Sequence, residues 1–250
     1  MSGGVLVVAA HPDDAALSVG GLLPCLGPPL TLLTVFGRSN YTLHGGFERG
    51  WKRVTELRRA EEAAYARAVG ARLLYPGLTD ASVRFRSLME RIFPPRDRRI
   101  TGPRRLPAVL EAAVRRCRPG LLLAPAGIGG HADHLALREA ACALAARRGL
   151  AVAFYEDLPY AATVSEPRLR RLLRAIDARL EPLWIPLGGR LADKLQNLSI
   201  YASQMGPDMV RAVAAHAGRW PRRGACERLW TAAPIPALLA VYDAGPPSRT

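Results

Sequence analysis

Residues 5–14 read VLVVAAHPDD, an unbroken apolar run that ends directly in a histidine and two aspartates. Such a run, bounded by a turn sequence, is typical of a strand buried on both faces of a sheet. Residues 121–125, LLLAP, lead in the same way through a glycine-containing stretch into residues 131–134, HADH. Open α/β sheets bind ligands beyond the carboxyl ends of their strands. We therefore expect the two polar clusters at one edge of one sheet, as parts of a single site.

Further strands and helices alternate along the chain. Short apolar segments predict strands at 30–36, 72–75 and 152–155. Longer segments with helical periodicity predict helices at 51–69, 108–117, 132–148, 165–180 and 190–204. The chain from Pro207 onward is least defined, with a candidate strand at 237–242. The pattern predicts an α/β protein, a Rossmann-like three-layer α/β/α arrangement with a mostly parallel sheet. No repeat or linker divides the sequence, so residues 1–250 are expected to form a single domain.

The charge comes almost entirely from arginine. Lysine and arginine number 35 against 21 acidic residues, a formal net charge of +14. The arginines are scattered among glutamates and alanines on predicted helices, and no aromatic residues interleave with the basic stretch at 96–105, as a single-strand platform would require. We therefore expect a solvated arginine surface and no nucleic-acid partner, with an anionic substrate or partner as the alternative.

Compartment and redox chemistry follow from simple features. No apolar run is long enough to cross a bilayer, and the first residues lack the basic stretch of a signal peptide, so a cytoplasmic protein without a membrane span is expected. The four cysteines lie far apart and form no CxxC pair. They are expected to be buried free thiols.

The residue types in the two clusters suit a catalytic metal. Zinc in a catalytic site takes three protein ligands and keeps one position for water. His11, Asp14 and His134 would supply two imidazoles and one carboxylate. Asp13 should point away from its neighbour Asp14, which makes it a candidate general base. These residues predict a hydrolase that depends on Zn²⁺, although the same ligands also suit iron or cobalt.

The other histidines fall into two groups, one beside the second cluster and one away from both clusters. His131 precedes His134 by one helical turn, and as an imidazolium it would donate to an oxyanion or protonate a leaving amine. Asp133 is expected to orient His131 and keep it protonated. His44 and His216 are expected to be ordinary surface or loop residues, with His44 also a candidate for lining the site. Helix capping is the competing explanation for each cluster alone.

The sequence resembles the PIG-L/LmbE family of zinc-dependent N-acetylglucosaminyl deacetylases over residues 5 to about 205. The resemblance rests on AHPDD at 10–14 with Gly20-Gly21, and on GHADH at 130–134. Supporting matches are Arg59, Glu62, Ala66, Gly70, Asp80, Lys194, Tyr201, Ser203 and Gln204.

The resemblance implies hydrolysis of the N-acyl group of an amino sugar within a small molecule, such as a secondary-metabolite or low-molecular-weight thiol precursor. By position, the resemblance implies that His11, Asp14 and His134 are the zinc ligands. It further implies that Asp13 is the general base, that His131 is the electrophilic partner, and that Asp133 modulates His131. It also implies sugar contacts by Arg59 and Asp80. A salt-bridged helix surface and a loop cap are the respective alternatives.

One feature departs from the family. Some relatives place a tyrosine just before the second cluster, where it helps to hold the oxyanion, whereas this chain has Ile128-Gly129-Gly130. Either His131 acts alone or a tyrosine from another loop takes part. Three alternative functions stay open: an amidase of a thiol-linked amino-sugar conjugate, a deacylase of a longer N-acyl group, and a non-catalytic metal- and glycan-binding protein. The sequence also leaves open whether the chain forms a homo-oligomer.

Overall fold

The computed structural model describes residues 3–43, 50–94 and 102–235, which build one seven-stranded sheet with helices packed against it. The strands are β1 Val5–Ala9, β2 Leu30–Thr34, β3 Arg72–Leu74, β4 Leu121–Pro125, β5 Ala151–Tyr155, β6 Glu181–Pro186 and β7 Cys226–Thr231. His44 and the candidate strand at 237–242 lie outside the described residues.

The strand order is β3-β2-β1-β4-β5-β7-β6. The first five strands are parallel, and β7 runs antiparallel to both β5 and β6. The chain moves outward from β1 to β3 and then returns to place β4 on the other side of β1. Such a reversal opens a crevice beyond the carboxyl ends of the two central strands. The predicted α/β class and mostly parallel sheet are confirmed, and both polar clusters follow the strands beside this crevice.

The helices fill the connections between strands. They are α1 Asp14–Val19, α2 Trp51–Ala68, α3 Ala81–Arg84, α4 Met89–Ile92, α5 Leu106–Cys117, α6 Ala132–Arg148, α7 Glu166–Arg174, α8 Arg190–Leu198 and α9 Pro207–Gly218. The predictions for α2, α5 and α6 agree with these bounds to within two residues. Among the described residues, no helix combines the length and apolar character needed to span a membrane.

Helix α6 shows why the second cluster folds as it does. His131 is its N-cap, and the ring Nδ1 accepts the backbone N–H of Asp133 at 3.2 Å. An acidic residue in the first turn and Arg147 and Arg148 in the last turn complement the helix dipole, and Gly149 ends the helix at φ 62°. The capping interaction and the candidate chemistry therefore share one histidine.

Strands β6 and β7 were not predicted, for identifiable reasons. β6 contains Pro182 and Pro186, which fit only because it is the edge strand. β7 carries Glu227 and Arg228 in its buried interior, where charged partners satisfy both. The solvent exposure expected for His216 and for the cysteines differs from the structure. His216 is buried and hydrogen-bonded to a carboxylate, and the four cysteines are free, but only Cys226 is buried.

Candidate active site

The two clusters meet at the ends of β1 and β4. Nδ1 of His11 lies 3.2 Å from Nε2 of His134. Oδ2 of Asp14 lies 3.4 Å from the same Nε2 and 3.7 Å from Nδ1 of His11. Donor atoms bound to one tetrahedral zinc, each about 2.0–2.2 Å from it, are separated by roughly 3.4 Å. The three donor atoms therefore have the spacing of a metal-binding face.

Two carboxylates fix how the imidazoles present their lone pairs. Nε2 of His11 lies 3.0 Å from Oδ2 of Asp133, and Nδ1 of His134 lies 2.7 Å from Oδ1 of Asp157. An ionised carboxylate only accepts hydrogen bonds, so each of these ring nitrogens carries the proton. The opposite nitrogen of each ring then offers a lone pair to the cluster. This arrangement is common behind metal-binding histidines.

A second possible ligand set overlaps the first. Ring nitrogens of His11, His131 and His134 lie within 4.8 Å of one another. The two sets share His11 and His134 and differ in whether Asp14 or His131 is the third ligand. Burial would lower the pKa of His134, but the Asp14 and Asp157 carboxylates raise it to about 9. The same carboxylates attract a divalent cation, so the donor set fits a metal.

Asp13 and Asp14 have different partners: the Asp13 carboxylate lies beside Arg58, and that of Asp14 lies beside His11 and His134. The Asp13 backbone adopts a left-handed conformation at φ 96°, and its N–H donates to Oε2 of Glu62 at 3.3 Å. Its own Oδ2 lies 3.5 Å from Nη2 of Arg58. Burial raises the pKa of Asp13 well above its usual range, and the Arg58 charge opposes this shift. Burial therefore makes this carboxyl group easier to protonate than a solvent-exposed aspartate.

Glu61 and Glu62 join α2 to Tyr201 and Ser203 beside the site. The Glu62 carboxylate accepts hydrogen bonds from the hydroxyls of Thr34 and Tyr201, the latter at 2.6 Å, and burial raises its pKa. One residue earlier, Glu61 accepts the N–H and hydroxyl of Ser203 at 2.8 and 2.6 Å. In the sequence, Glu62 is visible only as part of the motif that begins at Arg59.

The arginine that contacts Asp13 is Arg58, and the sugar contact expected for Arg59 stays a prediction. Arg58 is buried, donating to the carbonyl oxygen of Pro12 at 2.9 Å and to Oγ of Ser39 at 3.0 Å. Arg59 is exposed, with its guanidinium 5.7 Å from the ring centroid of Tyr75. Consecutive residues of a helix lie about 100° apart around its axis, and in α2 Arg58 faces the site while Arg59 faces solvent.

Asp80 is buried and caps α3. Its Oδ1 accepts the N–H of Val83 at 3.1 Å and the hydroxyl of Ser82. The adjacent N–H of Ala81 donates to Oδ2 of Asp133 at 2.7 Å, so the turn at Asp80 is hydrogen-bonded to the second cluster. The loop-cap interpretation accounts for these contacts.

The expected pairing of the Asp133 side chain with His131 is wrong. The carboxylate faces His11, Ala81 and Arg84, whose Nη1 lies 2.7 Å from Oδ1, and it is the backbone N–H of Asp133 that reaches His131. Burial alone would raise the pKa of Asp133, but the hydrogen bond to His11 and the Arg84 charge lower it overall. Asp133 therefore supports His11.

His131 is held as a neutral ring. Burial lowers the pKa of His131 well below its usual range, and the neighbouring His11 and His134 shift it the same way. Because Nδ1 accepts the Asp133 N–H, the proton of the neutral ring resides on Nε2. His131 thus offers a neutral N–H donor, in contrast to the imidazolium expected from the sequence.

Two aromatic rings border the histidines. The ring of Phe93 meets His131 edge-on with centroids 5.1 Å apart, and the ring of Tyr160 meets His134 edge-on at 5.9 Å. Burial raises the pKa of Tyr160, as do the charges of Asp14 and Asp13, so its hydroxyl stays protonated. Tyr160 follows β5 through the turn that carries Asp157, and neither residue was singled out from the sequence.

The sequence has clear relatives. The profile of the family described as PIG-L, GlcNAc-PI de-N-acetylase, matches residues 6–145. A 2'-N-acetylparomamine deacetylase from Streptomyces fradiae is 36% identical to the chain over 258 aligned residues, covering 93% of this chain and 91% of that protein.

Solved structures agree on the fold. The structure of the antimicrobial reagent A40926 pseudoaglycone deacetylase matches with a TM-score of 0.69 and 24% identity, over 92% of this chain and 97% of that chain. The zinc-inhibited form of teicoplanin deacetylase matches with a TM-score of 0.68 and 21% identity, over 90% and 96% of the two chains. Since the profile covers more than half of the chain and the Streptomyces relative nearly all of it, this protein belongs to the PIG-L family.

Proposed function

We propose that this protein is a zinc-dependent N-deacetylase that hydrolyses the acetamido group of an amino sugar within a small molecule. The observation that carries the proposal is the His11, Asp14 and His134 donor set, whose spacings of 3.2 to 3.7 Å suit one metal, beside the buried carboxylate of Asp13. The relative from Streptomyces fradiae, named for 2'-N-acetylparomamine, supports an amino-sugar substrate.

His11, Asp14 and His134 would hold the zinc. Asp14 is preferred to His131 as the third ligand because its Oδ2 lies close to both other donors, and because a carboxylate offsets more of the metal charge. When bound there, zinc supplies Lewis-acid polarisation of the amide carbonyl and a water that ionises near neutral pH.

Asp13 acts as the general base and then as the general acid. It accepts the proton of the attacking water, which its raised pKa favours. The resulting carboxylic acid delivers that proton to the amine nitrogen as the carbon–nitrogen bond breaks. Arg58 restrains the Asp13 side chain through the 3.5 Å contact between Nη2 and Oδ2. The products are a free amino sugar and acetate.

His131 stabilises the tetrahedral intermediate. Its Nε2–H is available because Nδ1 is occupied by the backbone N–H of Asp133 at 3.2 Å. A neutral donor fixed by a helix N-terminus reaches a developing oxyanion without needing to be protonated first. Asp13, rather than His131, is therefore the proton donor to the amine.

Acetate release tests this proposal. The protein is stripped of metal, refilled with zinc, cobalt or iron, and given N-acetylglucosamine, simple N-acetylglucosaminides and 2'-N-acetylparomamine. We expect release that requires a divalent metal and disappears in Asp13→Asn. Zinc should be added from substoichiometric amounts to excess, because a structural neighbour is described in a zinc-inhibited form. Tight metal binding without release from any amino sugar in the panel would contradict the proposal.

A further inference from the structure

Phe93 and Tyr160 contact each other and the histidines of the metal-binding cluster, and the pair is here termed the aromatic wall. Their ring centroids lie 6.0 Å apart at an interplanar angle of 69°. Phe93 also meets His131 at 5.1 Å and 88°, and Tyr160 meets His134 at 5.9 Å and 85°. Each ring therefore touches a different histidine of the site while it contacts the other ring.

The residues around the aromatic wall fit its two rings closely. Gly129 has φ 95°, and a Cβ built there would lie 2.4 Å from Cγ of Tyr160, so a side chain at this position would collide with the ring. Phe93 packs against a small apolar cluster of Ala81, Ile92 and Ala132. The wall is thus seated on backbone on one side and on packed side chains on the other.

The Asp13 carboxylate has polar neighbours instead. Its Oδ2 lies 3.5 Å from Nη2 of Arg58, a residue that also donates to Oγ of Ser39, and the Asp13 N–H donates to Glu62. An N-acyl amino sugar has a hydroxyl-rich ring on one side of its amide and an alkyl group on the other. Sugar hydroxyls placed against two aromatic rings would lose hydrogen bonds without replacement, whereas an alkyl group would not. The alkyl group therefore faces the aromatic wall.

We propose that Phe93 and Tyr160 bind the acyl group and that Phe93 limits it to a short chain such as acetyl. This inference rests on the proposed function. Phe93 contacts His131 edge-on, so an acyl chain that extends from the amide past His131 toward this ring meets Phe93. The wall thereby distinguishes an N-acetyl deacetylase from a deacylase of long chains.

Binding of free carboxylates tests the wall without relying on hydrolysis. Acetate, butyrate and hexanoate are titrated by NMR against the zinc-loaded protein and its Phe93→Ala, Phe93→Leu and Tyr160→Ala variants. Wild type should bind acetate best. Phe93→Ala should raise the ratio of hexanoate to acetate affinity at least tenfold, since each methylene admitted to an apolar pocket is worth about tenfold or more. Phe93→Leu should give a smaller shift in the same direction, and it serves if the alanine variant does not fold.

Phe85→Ala is the matched control. Phe85 packs against the same small cluster as Phe93, but its neighbour is the guanidinium of Arg84, 5.0 Å from the ring centroid. It should leave the affinity ratio unchanged. Equal changes for all three acids in Phe93→Ala, or the same ratio shift in Phe85→Ala, would overturn the inference.

Hydrolysis gives the second readout and separates the two proposals. The ratio of kcat/KM for N-hexanoyl over N-acetyl glucosaminides should rise at least tenfold in Phe93→Ala. A uniform loss of kcat for both substrates would show that Phe93 only positions His131, and would overturn the inference while leaving the deacetylase intact. Selective carboxylate binding without hydrolysis of any N-acyl amino sugar would support the wall and contradict the proposed function.

Discussion

Oδ1 of Asp157 lies 2.7 Å from Nδ1 of His134, and the other oxygen of the same carboxylate accepts the N–H of Ile128 at 2.9 Å. One buried side chain therefore orients a proposed metal ligand and fixes the loop that leads from β4 to that ligand. Asp157 lies two residues beyond the end of β5, at the same sheet edge as both clusters. The position of β5 beside β4 makes this third contribution to the site possible.

Asp157→Asn should weaken zinc binding about 10- to 100-fold, the usual cost of removing a carboxylate behind a metal-bound histidine. The amide keeps the shape of the side chain but loses the negative charge that holds the Nδ1 proton. Competition with a chelator of known affinity measures the change. Asp208→Asn, at an exposed aspartate, is the control. Equal zinc affinity in wild type and Asp157→Asn would refute this role.

Asp13 and Asp14 should separate turnover from metal binding. Asp13→Asn should keep its metal and lose activity by about 10²–10⁴-fold, as expected for a missing general base. Asparagine also tolerates the left-handed backbone at φ 96°, so the turn should be preserved. Asp14→Asn should instead lose metal. Metal content and kcat are measured on both variants, and comparable metal loss in the two would contradict the assignment.

Gly129→Ala should destabilise the fold by about 1–3 kcal/mol, because a side chain at φ 95° is strained and this one meets the ring of Tyr160. Urea unfolding measures the difference. Gly189→Ala is the control, since Gly189 has φ −62° and open space around its Cβ position. A loss no larger in Gly129→Ala than in Gly189→Ala would mean that Tyr160 is not seated on this glycine.

A second buried network gives a pH prediction. The Glu156 carboxylate accepts hydrogen bonds from His216 at 2.9 Å, from Trp230 at 2.7 Å and from Arg228. Burial alone would raise the pKa of Glu156, but the His216 hydrogen bond and the Arg228 charge lower it overall. A carboxylate with a lowered folded-state pKa stabilises the fold fully above its unfolded value, about 4.3, and this stabilisation is lost as pH falls through the folded-state pKa.

Glu156→Gln should therefore cost about 3 kcal/mol or more near pH 7, where it leaves the buried Arg228 with one carboxylate partner fewer. Its deficit relative to wild type should shrink below about pH 4. Free energies of unfolding from pH 7 to pH 3, in the presence of a chelator, test this. Glu181→Gln, at an exposed glutamate, should follow wild type throughout. A deficit for Glu156→Gln that stays constant with pH would contradict the prediction.

The sequence predicts where the site forms more reliably than which atoms meet there. Apolar runs predict buried strands, and they indicate the strands at residues 5–9 and 121–125. The meeting of the two histidine–aspartate clusters then follows from the parallel sheet alone. β7 was not predicted because Glu227 and Arg228 interrupt its apolar pattern. Only the fold shows that these two residues form ion pairs with Lys194 and Glu156, respectively.

Side-chain direction within the site depends on details that no local pattern carries. The Asp133 carboxylate turns to His11 because α3 offers it an N–H from Ala81 and a guanidinium from Arg84. Those partners come from a segment more than 45 residues away in the chain. The choice between Arg58 and Arg59 depends likewise on the rotation of α2, which its packing against Tyr201 and Ser203 decides.

The two adjacent arginines provide a direct test of that rotation. Arg58→Lys should lower kcat/KM about 10- to 100-fold, because a lysine cannot reach Pro12, Ser39 and Asp13 together and each lost bond to a charged group costs about 1.5–3 kcal/mol. Arg59→Lys keeps a cation on the exposed face and should alter kcat/KM by less than about twofold, as surface substitutions usually do. Steady-state kinetics on one N-acetylglucosaminide, with metal content checked for each variant, measures both. A larger loss in Arg59→Lys than in Arg58→Lys would place Arg59 at the substrate, as the family motif implied, and would overturn the orientation of α2 described above.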